Sequence, residues 1–95
     1  MAPELTLDRP LVVPEDVVFR LLDDEAVVLN LKTGVYFGLD PIGTRAWQLI
    51  VEHGSLAGAL DTLLAEYDVE REVLETDLLA LGQRMKEKGL LAVAG

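Results

Sequence analysis

Three short segments in the first half of the chain have the apolar pattern or composition of β-strands: residues 17–22, 26–31 and 35–39. The first, VVFRLL, is rich in β-branched and aromatic side chains. The other two alternate between faces; in the last one, Val35, Phe37 and Leu39 lie on one side of the chain and Tyr36 and Gly38 on the other. This composition and a period of two residues are typical of β-strands, so three strands are predicted.

Turn signals separate the three predicted strands. An acidic run at residues 23–25 interrupts the apolar pattern after the first strand, and the sequence Lys-Thr-Gly at 32–34 follows the second. Gly34 is expected to adopt a positive φ, which glycine does at no steric cost. The strands therefore form an antiparallel three-stranded sheet, and other elements have to cover its apolar face.

The spacing of apolar residues becomes helical in the second half of the chain. Asp40 followed by Pro41 predicts a helix start. The carboxylate can accept from free amides of the first turn, and proline is tolerated at the first helical position. This first helix is expected to reach about His53, and Gly54 is placed to end it.

Two further helices follow. Ser55 predicts the N-cap of the second helix, whose apolar stripe continues to Tyr67. The third helix is expected over roughly residues 69–88, with Asp68 as its N-cap and Gly89 as its left-handed end. Four residues with helical spacing form the predicted core stripe of the third helix: Leu74, Leu78, Leu81 and Met85.

The order of these elements predicts a single α+β domain over residues 14–95, with three antiparallel strands followed by three helices. A chain of 95 residues has room for one apolar core. After the third helix, Leu90, Leu91 and Val93 are expected to return against the sheet. Residues 1–13, which contain two prolines and no uninterrupted apolar run, predict a flexible N-terminal arm.

Charge and composition narrow the possible functions. Seventeen acidic against eight basic residues give a net charge of −9, which disfavours nucleic acid as a partner. The chain has no cysteine and one histidine, so neither a zinc site nor a thiolate nucleophile is expected. Neither a dinucleotide fingerprint nor a phosphate loop is present, so we expect no enzyme activity, cofactor or metal.

The chain carries no apolar run long enough to cross a bilayer. The first thirteen residues also lack the apolar stretch of a secretory signal peptide. We therefore expect a soluble, cytoplasmic protein that does not bind a membrane.

An edge strand gives this chain a candidate binding mode. The outer strand of a three-stranded sheet has unpaired main-chain groups, and an extended peptide can pair with them in β-augmentation. The segment 35–39 is a candidate edge because it is short, aromatic and free of proline and charge. The alternative is a strand enclosed between its neighbour and a helix, and periodicity alone does not separate the two.

A resemblance to a known family favours the open edge. Three stretches carry it: residues 23–50 (DDEAVVLNLKTGVYFGLDPIGTRAWQLI), 63–81 (LLAEYDVEREVLETDLLAL) and 86–91 (KEKGLL). Together they resemble the PqqD-like family, also called the RiPP recognition element. The core TGVYFGLDPIGTRAW at 33–47 is more similar to stand-alone members of lasso-peptide clusters than to the member that serves pyrroloquinoline quinone synthesis.

The resemblance implies a winged helix-turn-helix-like fold that binds the leader of a ribosomally made precursor peptide. The leader would lie as an added antiparallel strand between the third strand and the third helix. One wall of this groove would be Val35, Tyr36, Phe37, Gly38 and Leu39, and the other Val73, Glu75, Asp77, Leu78, Leu81 and Arg84. Which of these helix residues face the groove and which face the core stays open at this point.

The resemblance also implies partners that perform the chemistry. In lasso pathways a separately encoded leader peptidase, or another maturation enzyme, acts on the peptide that the family member holds. Asp77 lies in an apolar run, so we expect it to bond a backbone amide, Arg84 or the incoming peptide. Two other functions remain possible: a winged-helix DNA-binding regulator, and a structural subunit that docks on an enzyme through the apolar side of the second helix.

Overall fold

The computed structural model describes residues 4–94, which contain five strands and three helices. The strands are β1 (Leu11–Val12), β2 (Val17–Leu22), β3 (Glu25–Asn30), β4 (Tyr36–Leu39) and β5 (Ala92–Val93). The helices are α1 (Pro41–His53), α2 (Leu56–Glu66) and α3 (Arg71–Glu87). The predicted strands correspond to β2, β3 and β4, and the predicted helices to α1, α2 and α3. The expected α+β, winged helix-turn-helix-like arrangement is therefore confirmed.

β2, β3 and β4 form one antiparallel sheet with β3 in the centre. Phe19, Val28 and Phe37 lie side by side across the three strands and face the helices. A two-residue turn joins β2 to β3, and Asp23 adopts a φ of 60° there. The turn before β4 contains Gly34, whose φ of 78° confirms the prediction for this residue. β2 and β4 are thus the two edges of this sheet.

The caps of α1 and α2 agree with the sequence patterns. The Asp40 carboxylate accepts from the Gly43 N–H at 2.7 Å, and Ser55 Oγ accepts from the Gly58 N–H at 3.2 Å. Gly54 ends α1 with a φ of 76°. These caps fix where β4 turns into α1, because the chain passes from strand to helix at Asp40 without an intervening loop.

The predicted start of α3 is wrong. Asp68 does not cap the helix, which begins at Arg71 with Glu70 as an N-cap that makes no side-chain capping bond. The backbone is still extended at Tyr67, so the residues after it form the turn between α2 and α3. The other end agrees with the prediction, since Gly89 has a φ of 73°.

Two leucines of the segment that precedes β2 pack against the domain. Leu5 and Leu11 are each 8% exposed and belong to the core. Gly82 on α3 makes room for Leu5, because a Cβ at this glycine would lie 3.0 Å from Leu5 Cδ2. Residues 4–13 therefore differ from the flexible arm that the sequence predicts, since their leucines find apolar partners. Residues 1–3 of that arm lie outside the described residues.

The C-terminal segment pairs with this N-terminal segment. Leu90 and Leu91 are buried, but β5 pairs with β1 and not with the three-stranded sheet. The expected return of Val93 against that sheet is thus wrong, because Leu11 offers it a strand partner in β1.

The core fills the space between the three-stranded sheet and the helices. Trp47 of α1 is 3% exposed, and its ring stacks on Phe19 with centroids 6.5 Å apart. Met85 of α3 is fully buried in the same core. The apolar side of α2 also points into it: Leu56, Ala59, Leu60 and Leu63. Docking of a partner through that side of α2 is therefore excluded in the folded chain.

Candidate peptide-binding site

The free edge of β4 presents main-chain hydrogen-bonding groups. The register places Asn30 opposite Val35, and the Asn30 N–H donates to the Val35 carbonyl at 2.9 Å. Because bonding alternates along antiparallel strands, positions 37 and 39 also bond β3. The N–H and C=O groups of Tyr36 and Gly38 therefore point away from the sheet. Within residues 4–94, nothing bonds these four groups.

A cleft of about 490 Å³ lies beside this edge. We call it the β4–α3 cleft, since β4 and the start of α1 form one wall and α3 forms the other. Its lining is mostly apolar: Phe37, Gly38, Leu39, Asp40, Ile42, Gly43, Ala46, Leu63, Leu74, Asp77, Leu78, Ala80, Leu81 and Arg84. The cleft therefore combines a row of main-chain groups with an apolar floor, which is the combination that strand addition requires.

α3 runs antiparallel to β4 along the cleft. At one end, Asn30 Nδ2 donates to the Gly89 carbonyl at 3.0 Å, so the end of α3 lies beside the turn that precedes β4. α3 lines the cleft from Leu74 to Arg84, so its start lies toward the end of β4. A peptide paired antiparallel to β4 would accordingly run in the same direction as α3.

Two charged side chains border the cleft on its α3 wall. Asp77 and Arg84 are both exposed, and in the described part of the chain neither has a hydrogen-bond or salt-bridge partner. Of the partners expected for Asp77, neither a backbone amide nor Arg84 is observed. Asp40 differs, because its carboxylate already caps α1. Asp77 and Arg84 are therefore the charges of this wall that remain available to a guest.

The structure brings together most of the residues that the sequence assigned to the groove. Seven of them line the β4–α3 cleft: Phe37, Gly38, Leu39, Asp77, Leu78, Leu81 and Arg84. The other four lie elsewhere. Val35 belongs to the turn, Tyr36 is 69% exposed on the outer face of β4, Val73 is 52% exposed, and Glu75 accepts from Arg71 Nε at 3.1 Å. Tyr36 still borders the site through its main-chain groups.

Sequence reasoning missed the contribution of α1. Ile42, Gly43 and Ala46 line the cleft from the first turns of this helix. Asp40 and Pro41 had located the helix start correctly, but helical spacing does not show which side of α1 a neighbouring helix leaves open. The signal that was available is the half-apolar first turn directly after the edge strand.

The shortest ion pair among residues 4–94 lies outside the cleft. Arg45 of α1 donates to the Glu66 carboxylate of α2 through Nε at 2.9 Å and Nη2 at 2.6 Å. These hydrogen bonds hold the pKa of Glu66 below its usual range and raise the pKa of Arg45. Both side chains are about one-third exposed, so this pair joins two helices at the surface without changing the charge of the site.

Comparison with known proteins identifies the family. The model of the family of coenzyme PQQ synthesis protein D (PqqD) matches residues 25–91, which include β3, β4 and all three helices. The chain belongs to the PqqD family. The expected resemblance to the PqqD-like recognition elements is therefore confirmed, and the matched residues contain both walls of the β4–α3 cleft.

Two solved structures of similar proteins contain a bound leader peptide. One is TbiB1 in complex with the TbiA(beta) leader peptide, which is 40% identical, with a TM-score of 0.78 over 83% of this chain and 92% of that chain. The other is lasso peptide synthetase B1 complexed with the leader peptide, which is 27% identical, with a TM-score of 0.77 over 86% of this chain and 96% of that chain. A search of the curated proteins gives no match.

Other kinds of site find little support in the described residues. No helix within residues 4–94 is long and apolar enough to span a membrane. The same residues contain no group of three or more acidic or histidine side chains placed to hold a metal ion. His53 is exposed at the end of α1, where its Nε2 lies 3.4 Å from Thr62 Oγ1.

Proposed function

We propose that this chain binds the leader segment of a ribosomally synthesised precursor peptide by adding it as a strand to β4. It then presents the leader to a separately encoded leader peptidase or other maturation enzyme of a lasso peptide pathway. The observation that carries the proposal is the coincidence of the free main-chain groups of Tyr36 and Gly38 with the β4–α3 cleft. The two similar proteins, which are bound to leader peptides, support it.

The site divides the binding energy between two kinds of contact. Pairing with Tyr36 and Gly38 offers up to four hydrogen bonds, each with a net contribution of about 1 kcal/mol. Such bonds fix the register of the guest but give weak affinity alone. An apolar guest side chain that becomes buried against Leu78 and Leu81 contributes about 1.5–3 kcal/mol more. Apolar guest residues at alternate positions would thus provide most of the affinity.

In this proposal the chain holds its substrate and a partner performs the reaction. The residues proposed to contact the leader are those of the predicted groove that line the cleft, together with Val35 and Tyr36 at the start of the edge. Val73 and Glu75 would lie at its margin, one turn before Asp77 and Leu78. The chain would act in the cytoplasm, where ribosomes make the precursor.

A titration tests the binding step. The leader of the precursor peptide encoded beside this chain is added to the full chain, and a leader of the same composition in scrambled order is the control. We expect saturable binding at a ratio of one to one for the leader only. Equal binding of the two peptides, or no binding of either, contradicts the proposal.

A second measurement tests presentation. The leader peptidase from the same gene cluster is assayed on the full precursor with and without this chain. We expect faster cleavage when the chain is present, because the chain raises the local concentration of the leader at the enzyme. Cleavage that is unchanged by a chain that binds the leader would limit the function to binding.

A winged-helix DNA-binding function has no comparable support. α3 would be the recognition helix, and its first two turns expose Glu72, Glu75 and Asp77 to the partner. Phosphates repel such a surface, and the net charge of −9 acts in the same direction.

A further inference from the structure

The charged residues of the β4–α3 cleft are arranged in a fixed order. Asp77 and Arg84 are seven residues apart on α3, so their Cα atoms are about 10 Å apart along the helix axis. Both line the same wall, with Leu78 and Leu81 between them. Neither is neutralised by a partner in the described part of the chain, whereas Arg45 and Arg71 are paired with acids.

Other charged residues near Asp77 and near Arg84 have the same sign of charge as these two residues. Four of the eight basic residues of the chain gather where α3 ends beside the turn before β4: Lys32, Arg84, Lys86 and Lys88. Asp40, at the end of β4, also lines the cleft and has the same sign of charge as Asp77. The helix dipole alone favours bases at the end of a helix. It does not account for Lys32, which lies in the turn between β3 and β4, nor for the position of Arg84 in the cleft wall.

Because a guest strand has a fixed direction in the cleft, the positions of Asp77 and Arg84 specify the order of the charges along the guest. A strand antiparallel to β4 runs with α3, so its N-terminal part lies beside Asp77 and its C-terminal part beside Arg84. Side chains on one face of a strand recur about every 7 Å. Guest residues on the cleft side that are four positions apart are about 14 Å apart, and the long side chains of Arg84 and of a guest lysine or arginine can span the few ångströms by which this exceeds the distance of about 10 Å on α3.

We propose that the cleft selects peptides by the order of their charges, an inference that rests on the proposed function. The guest carries a lysine, an arginine or another hydrogen-bond donor opposite Asp77. A carboxylate follows four residues later opposite Arg84, and an apolar side chain midway between them lies against Leu78 and Leu81. A peptide with the reverse order places like charges together at both ends of the cleft.

Selection from displayed random peptides tests this inference without a known precursor. The full chain and the variant with Asp77→Arg and Arg84→Asp are each used to select binders from one library of short linear peptides. We expect the native chain to enrich peptides with the base before the acid, and the exchanged variant to enrich the opposite order. Affinities of single peptides should change by about two- to fivefold for each exposed charge that is reversed.

A matched control separates this effect from the overall field of the protein. The variant with Arg20→Asp and Asp24→Arg makes the same exchange at two exposed positions of the β2–β3 hairpin that do not line the cleft. It should retain the native charge order. Thermal unfolding of each variant checks that these exposed exchanges leave the fold intact.

The possible outcomes distinguish a failure of the charge-order inference from a failure of the proposed peptide binding. Enriched peptides that lose binding to the Gly38→Pro variant but show no charge order, or the same order with the exchanged variant, overturn this inference alone. A failure to enrich any peptide, or peptides that bind the Gly38→Pro variant unchanged, overturns the proposed function as well.

Discussion

The two edges of the three-stranded sheet have similar backbones and different surroundings. At the β4 edge, Tyr36 and Gly38 point their main-chain groups outward; at the β2 edge, alternation leaves those of Phe19 and Leu21 outward. Both edges adjoin apolar side chains. The β2 patch, of about 340 Å³, is lined by Val13, Val17, Val18, Phe19, Trp47, Gln48 and Val51.

The two edges differ in the elements that face the edge strand. Beside β4, α3 runs along the edge and places apolar residues and two charges opposite the strand. Beside β2, α1 contributes Trp47, Gln48 and Val51 to the patch, whose lining has no charged residue, while Asp23 and Asp24 close its hairpin. Acidic residues in a neighbouring turn help keep an edge from pairing with other chains. The proposed function therefore assigns the guest to β4, where the exposed edge is combined with a wall that can contact the guest side chains.

The largest expected effect comes from a charge in the apolar floor of the cleft. Leu81→Asp should weaken leader binding by about 2–3 kcal/mol, because an apolar contact is lost and a carboxylate has to be desolvated. Val51→Asp makes the equivalent change in the β2 patch and should leave binding unchanged. Titration of the labelled leader measures both. Equal losses in the two variants would show that the edges are not different in function.

Removal of one edge donor should have the next largest effect. Gly38→Pro removes an outward N–H without removing a bond to β3, and binding should weaken by about 1–3 kcal/mol. Leu21→Pro removes an outward N–H at the β2 edge and is the matched control. If Leu21→Pro weakens binding as much as Gly38→Pro, the assignment of the guest to β4 is wrong.

Substitutions in the two turns of the sheet are expected to have smaller effects, and each turn serves as a control for the other. Asn30 Oδ1 accepts from the N–H groups of Lys32 and Thr33, and Asn30 Nδ2 donates to Gly89, so Asn30→Ala should lower the free energy of unfolding by about 1–2 kcal/mol. It should also weaken leader binding, because it releases the end of α3 from the turn before β4. Asp23→Ala strains the other turn by about 1 kcal/mol and should not affect binding. Denaturant unfolding and titration of both variants check these outcomes.

The smallest expected effect is a pH dependence of stability, which comes from the ion pair between Arg45 and Glu66 outside both edges. The pKa of Glu66 is lower in the folded chain than in the unfolded chain, so its ion pair with Arg45 stabilises the fold above the usual Glu range. This contribution is lost as the pH falls through the folded-state pKa. The stability difference between the native chain and Glu66→Gln should accordingly shrink on acidification, and Arg45→Gln should abolish its pH dependence. A difference that grows in acid would contradict this assignment.

The elements of the fold could be predicted from sequence because their signals are local. Alternation marked β4, and Asp40 with Pro41 marked α1. The start of α3 could not be located, because Asp68 has the chemistry of an N-cap but the backbone is still extended at Tyr67. The packing of Leu5 on Gly82 was equally hidden, since contact between the first residues and a distant helix depends on the tertiary structure.

The candidate site could be predicted in part for the same reason. The edge strand and one helix face follow from periodicity and from the family resemblance. Whether Tyr36 or Phe37 has a free N–H depends on the register between β3 and β4. The hydrogen bond from the Asn30 N–H to the Val35 carbonyl shows this register, and it cannot be derived from the sequence. The contribution of Ile42 and Ala46 requires the angle between α1 and α3, which no local pattern specifies.

Amide hydrogen exchange tests the central claim most directly. The exchange rates of individual amides are measured by NMR in the free chain and in the chain saturated with its leader peptide. Binding at β4 predicts that the amides of Tyr36 and Gly38 become protected while those of Phe19 and Leu21 keep their rates. Protection of Phe19 and Leu21, or unchanged exchange at Tyr36 and Gly38 in the saturated complex, would contradict strand addition at this edge.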